Sequence, residues 1–170
     1  MGKLGGHFEM TNIDIGSLKY IVEKFPVKTM IDVGCGPNWM VQIAELLGVD
    51  ACGIDGDRSV NPNIVHNFDN GKVETSNFDL AWSVEFLEHI EEKYLDNVFD
   101  VFKRCKYVFC THNPNSSSWH FNCQPNSYWL QVFKDYGFKF DSYTTEQIKL
   151  HSTMSREFVQ NSGMFFMNGG

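Results

Sequence analysis

Residues 30–38, Met-Ile-Asp-Val-Gly-Cys-Gly-Pro-Asn, together with Gly53-Ile54-Asp55, constrain this chain more than any other stretch. A short apolar run enters a glycine turn, a second patterned segment leads away, and a second short run ends in an acid nineteen residues beyond Gly36. In an open α/β sheet this is where a strand gives way to a helix, and where the next strand carries an acid to the hydroxyls of a ribose. The spacing predicts a nucleoside-cofactor site at the carboxyl edge of a parallel sheet.

The turn itself discriminates between cofactors. Gly34 and Gly36 let the backbone take dihedrals that a side chain forbids and come close to a ligand. In the G-x-G-x-x-G fingerprint the third glycine lets the helix approach the strand while its N-terminus faces a pyrophosphate. That position is Trp39 here, which argues against a dinucleotide and so against a nicotinamide oxidoreductase. With Asp32 ahead of the glycines, the motif resembles motif I of class I S-adenosylmethionine (SAM)-dependent methyltransferases, D/E-x-G-x-G. The likeness runs from about Thr29 to Phe166. It implies a Rossmann-like, doubly wound, mostly parallel seven-stranded sheet with the last strand antiparallel, and SAM as cofactor.

The rest of the chain alternates strands and helices as such a sheet requires. Strands are expected at 28–33, 51–55, 64–67, 78–83, 107–111, 138–143 and 164–167. Helices are expected at 39–47, 91–105 and 125–136, the last with Pro125 near its start and Gly137 after its end. Leu95, Val98, Phe99 and Phe102 carry the 3.6-residue period of the second of these helices. Ile13, Leu18, Ile21, Val22 and Phe25 predict a helix closed by Pro26, and a further helix is expected within 144–158. Residues 1–10, with Gly2, Gly5 and Gly6, read as a tail or as a lid carrying His7 and Phe8 over the cofactor.

At 170 residues and 42% hydrophobic content the chain is expected to be one domain, 1–170, around one core. No apolar run approaches the roughly 20 residues of a membrane span. The N-terminus carries neither a signal-peptide pattern nor a myristoylation pattern, so the expectation is a cytoplasmic protein. Cys35, Cys52, Cys105, Cys110 and Cys123 form no C-x-x-C pair and are expected to be reduced and mostly buried, with Cys123 the exception. A net charge of −7 makes nucleic acid an unfavoured partner. The basic cluster Lys103, Arg104 and Lys106 reads as cations at a helix C-terminus.

Roles follow from position. Asp55, beside Gly56, is placed to accept both ribose hydroxyls, with Asp57 as the fallback; Asp55-Gly-Asp57 also reads as a turn. The family resemblance implies that Asn67, Phe68 and Asp69 contact adenine through a backbone amide and an acid. It also implies that Asp32 and the Gly34-Cys35-Gly36 backbone face the methionine portion, and that Ser83 lies under the sulfonium.

Ser83-Val-Glu85-Phe-Leu-Glu88-His89-Ile is the remaining informative stretch. If the chain turns helical after the fourth strand, Glu85, Glu88 and His89 share a face. Such a cluster serves either of two chemistries: holding Mg²⁺ or Mn²⁺, or general base catalysis by His89. The Glu-x-x-Glu-His spacing resembles the metal motif of methyltransferases of ubiquinone biosynthesis and of those acting on the 3′-terminal 2′-hydroxyl of small RNAs. His120 and His112, on the polar loop 113–124, are candidates for a further ligand. The run Asn122 to Trp129 offers amides and rings for a small polar substrate, or caps a helix with Trp129 in the core. Three functions result: O-methylation of a small molecule or sugar, metal-assisted ribose 2′-O-methylation at an RNA terminus, or SAM binding without catalysis. Oligomeric state is not encoded in any of these features.

Overall fold

The computed structural model describes residues 12–170; the tail or lid expected at 1–10 lies outside them. Seven strands form one sheet: β1 (Thr29–Val33), β2 (Asp50–Asp55), β3 (Ile64–Val65), β4 (Phe78–Ser83), β5 (Cys105–Cys110), β6 (Phe138–Phe140) and β7 (Met164–Asn168). Their order is β3-β2-β1-β4-β5-β7-β6. The first five pair in parallel, and β7 enters antiparallel between β5 and β6.

Helices cover both faces because adjacent strand residues point to opposite sides. Met30, Leu80, Trp82, Phe109 and Phe165 pack with Leu18 and Ile21 of α1 (Ile15–Lys24), Met40 and Ala44 of α2 (Trp39–Leu46), and Ile148 of α5 (Ser142–His151). Their neighbours Ile31, Ala81, Val108 and Phe166 face α3 (Leu95–Phe102) and α4 (Asn126–Asp135), meeting Val98, Phe99, Phe102, Trp129 and Phe133. Trp129 is fully buried in this second layer, so its core reading is the one realised.

Three local expectations are corrected. The helix drawn over 91–105 is a 3₁₀ turn, Glu92–Tyr94, followed by α3, and Cys105 already belongs to β5. The helix sought within 144–158 divides into α5, which Asp141 caps by accepting from the Thr144 amide, and the short α6 (Phe158–Ser162). Between them Ser152 and Thr153 leave the helix to donate to buried Asp14, from the Ser152 hydroxyl and, at 2.9 Å, the Thr153 amide. A buried carboxylate needing donors outweighs weak helix propensity at Ser and Thr. After β4 the chain makes only a 3₁₀ turn, Leu87–His89, with Glu85 outside it at φ 54°.

All five cysteines are free; Cys35, Cys105 and Cys110 are buried, and Cys52 joins Cys123 as half-buried. Two cations of the basic cluster are paired: Lys106 meets Asp79 at 2.7 Å, and Arg104 meets Asp100 at 3.1 Å and Glu74 at 3.2 Å. Lys103 lies 5.1 Å from the Tyr136 ring centroid. No helix among the described residues is long and apolar enough to cross a membrane.

Candidate active site

The carboxyl ends of β1, β2 and β4 open into a cleft of about 410 Å³. At its floor the turn after β1 is fixed by Gly34 and Cys35 amides donating to the Ile54 carbonyl at 2.9 and 3.2 Å. Gly34 has φ +80°, and a Cβ there would stand 2.4 Å from the Phe86 ring, so only glycine fits. Asp55 closes the turn, accepting from the Gly36 amide at 2.9 Å and the Asp57 amide at 2.8 Å. The turn reading of Asp55 is realised, and the residue also lines the cleft.

Beyond Asp55 the wall is made by His66, Asn67, Phe68 and Asp69. Asn67 caps the 3₁₀ turn Phe68–Asn70 by accepting from the Asp69 amide at 2.9 Å. Phe68 lies edge-on to His66 and to Phe86, at 5.2 and 5.7 Å between centroids. Gly34, Gly36, Gly56 and these residues are therefore brought together as expected. Asp32, Cys35, Asp57 and Ser83 are not among the lining residues. Ser83 is buried with its hydroxyl donating to the Val33 carbonyl at 3.0 Å. Asp57 accepts from the Ser59 amide at 2.8 Å. Asp32 sits under the turn, where burial and then the Asp55 charge push its carboxyl up to about 8.

The opposite wall carries Glu85, Glu88, His89 and His120. The left-handed backbone at Glu85 turns its amide onto Thr111 Oγ1 at 2.8 Å, and the Thr111 hydroxyl donates back to the carboxylate at 2.9 Å. Asn113 donates to the other oxygen at 3.2 Å. Glu88 is 1% exposed, and neither carboxylate oxygen has a well-formed hydrogen-bond partner among the described residues. Burial, then the neighbouring Glu85, raise its pKa far above the ordinary range; burial raises Glu85 too.

The two imidazoles stand edge to face, 4.9 Å between centroids. Each has Nδ1 on a backbone carbonyl at 2.7 Å, Trp119 for His89 and Asn115 for His120. With Nδ1 protonated, Nε2 is the basic nitrogen of each ring. One ligand atom each from Glu88, His89 and His120 lies within 4.8 Å of the others. His112 is elsewhere: it is buried, with Nε2 on Asn126 Oδ1 at 2.7 Å, and burial depresses its pKa. Sequence reasoning missed Phe86, Thr111 and Asn113; only their nearness to strand ends signalled them.

A family model described as a methyltransferase domain matches residues 16–155. The chain belongs to the methyltransferase domain family. Its structural neighbours include a SAM-dependent methyltransferase from Clostridium acetobutylicum, with TM-score 0.65 at 10% identity over 92% of each chain. A TehB-like SAM-dependent methyltransferase from Corynebacterium glutamicum gives 0.63 at 15%, over 90% of this chain and 87% of that one. The methyltransferase domain of bacterial CtHen1 gives 0.61 at 14%, over 90% and 96%. No curated protein matches the sequence. The family match and these neighbours bear out the expected enzyme class and SAM as cofactor.

Proposed function

We propose that this methyltransferase transfers the methyl group of SAM to a hydroxyl oxygen of a small molecule or sugar. The observation that carries the reading is the His89–His120 pair, whose Nδ1 atoms are both anchored on carbonyls in the wall opposite Asp55. Bound SAM supplies an electrophilic methyl on a sulfonium and departs as S-adenosylhomocysteine (SAH). Asp55 and the Gly34–Gly36 turn would hold its ribose, and Phe68 and Asp69 its adenine. With SAM bound, an imidazole Nε2 would accept the hydroxyl proton as the acceptor oxygen is methylated and SAH leaves with the carbon–sulfur electron pair. Glu85, fixed by Thr111 and Asn113, keeps the turn bearing Glu88 and His89 in register, since positioning supplies much of the rate.

A second reading, metal-assisted 2′-O-methylation at an RNA terminus, is favoured by the convergence of Glu88, His89 and His120. The donor set fits Mg²⁺ or Mn²⁺: a buried carboxylate short of partners, and imidazoles whose other nitrogens are held by carbonyls. Glu88, His89 and His120, with Glu85 beside them, would hold the ion, which would orient vicinal hydroxyls. The net charge of −7 weighs for the small-molecule reading.

Calorimetry with SAH on wild type and Asp55→Ala tests the cofactor placement. The double variant His89→Asn/His120→Asn should keep SAH affinity and lose roughly 10²–10⁴-fold in methyl transfer to hydroxylated acceptors. Unchanged transfer would sink the reading. A Mn²⁺ signal in electron paramagnetic resonance that vanishes in Glu88→Gln would put the metal-assisted reading first.

A further inference from the structure

One part of the cleft is explained neither by the cofactor motifs nor by the proton-accepting pair. Trp119 is 47% exposed and Phe121 is 61% exposed, and both line the cleft on either side of His120. Large rings left wet at the mouth of a cleft mark a surface that a ligand covers. They do not belong to a loose loop. The Phe121 and Asn122 amides donate to the Glu88 carbonyl at 2.8 and 3.0 Å, and the Trp119 carbonyl holds His89 Nδ1. The same backbone that presents the rings therefore orients the candidate base, which fixes the rings relative to the reacting hydroxyl.

Arg156 completes this wall. It is the one guanidinium or ammonium group among the described lining residues, and it is exposed. Its guanidinium carbon lies 5.7 Å from the Phe158 ring centroid, a contact that orients the planar group. The lining also holds Asp55, Asp69, Glu85 and Glu88, yet Arg156 forms no ion pair among the described residues. The carboxylates have other work: Asp55 is taken by two amides and Glu85 by Thr111 and Asn113. A charged fork left unpaired in a substrate cleft, beside exposed rings, is suited to a planar oxyanion on a ring-bearing ligand.

We infer that the acceptor is a hydroxylated ring compound carrying a carboxylate or phosphate, its ring against Trp119 and Phe121 and its anionic group on Arg156. This rests on the O-methylation reading above and makes Arg156, Trp119 and Phe121 its specificity determinants.

The test uses the full chain saturated with SAH, so that loss of SAH binding by wild type would count against the methyltransferase site and not against this inference. Ligand-observed NMR titrations with 4-hydroxybenzoate, phenyl phosphate and neutral phenol compare the three probes. At least one anionic probe should bind about fivefold or more tighter than phenol, and which of the two does so separates carboxylate from phosphate. Arg156→Gln should remove that preference without changing SAH affinity. Trp119→Ala, with its fold checked by circular dichroism, should weaken all three probes; Phe121→Ala is the second variant should Trp119→Ala not fold. Equal binding of phenol and the anions, absence of binding by every probe, or a loss of SAH affinity in Arg156→Gln would overturn it. The last result would assign Arg156 to the cofactor's own carboxylate.

Discussion

Replacing Asp32 with Asn should stabilise the unliganded protein, by an amount that grows with pH. Asp32 is 3% exposed, has no side-chain hydrogen bond among the described residues, and has a carboxyl raised from 3.8 to about 8. A raised acid favours folding in its neutral form. Relative to that form, wild-type Asp32 costs nothing below its unfolded pKa, costs progressively more between 3.8 and about 8, and costs a constant amount above. Linkage puts the ceiling at ~3 kcal/mol near pH 6 and ~5 kcal/mol near pH 8. Relaxation and water entry around a buried charge bring the expected gain to ~1–3 kcal/mol at pH 8. For a chain of this size that is a rise of roughly 3–10 °C in Tm. Thermal melts of both proteins between about pH 5 and pH 9, followed by circular dichroism, read the gap directly. A pH-independent gap, or an Asn variant less stable at every pH, would refute the reasoning.

Thr111→Val removes two of the three hydrogen bonds that fix Glu85 and leaves only that from Asn113; turnover should fall by roughly tenfold with SAH affinity unchanged in calorimetry. Gly34→Ala forces a Cβ to within 2.4 Å of the Phe86 ring at φ +80°, so SAH affinity should drop by at least ~10-fold, and adding Phe86→Ala should recover only part of it because the backbone strain remains. Phe133→Ala empties a fully buried site whose ring stacks on Phe166 at 3.9 Å, and chemical denaturation should show a loss of ~3–5 kcal/mol.

The sheet was legible because its signals are local and strong. Apolar runs bounded by glycines and acids mark β1, β2 and β4 almost to the residue, and period 3.6 marks α3. The cleft wall formed by Gly34, Gly36, Asp55 and the 67–69 stretch was legible for the same reason, since one turn and the next two strand ends supply it. What the sequence concealed depends on partners far along the chain. The helix expected after β4 fails because Glu85 answers to Thr111, 26 residues on, and the helix before α6 breaks because Ser152 answers to Asp14. The histidine pair was half legible: His120 was named as a ligand candidate on composition, but its edge-to-face contact with His89 comes from the Glu88 carbonyl holding the Phe121 amide. Ser83 shows the converse, a position at the right strand end whose hydroxyl is spent inside the sheet.

The Asp14 carboxylate, tied to Ser152 and Thr153 across 138 and 139 positions, has a consequence for the order of folding. Contacts of such separation close only after most of the chain is collapsed. The central strands and the cofactor turn, by contrast, join residues within the first half of the sequence. The nucleoside half of the cleft can therefore assemble early, while the rim that carries Arg156 waits for the two ends of the chain to meet.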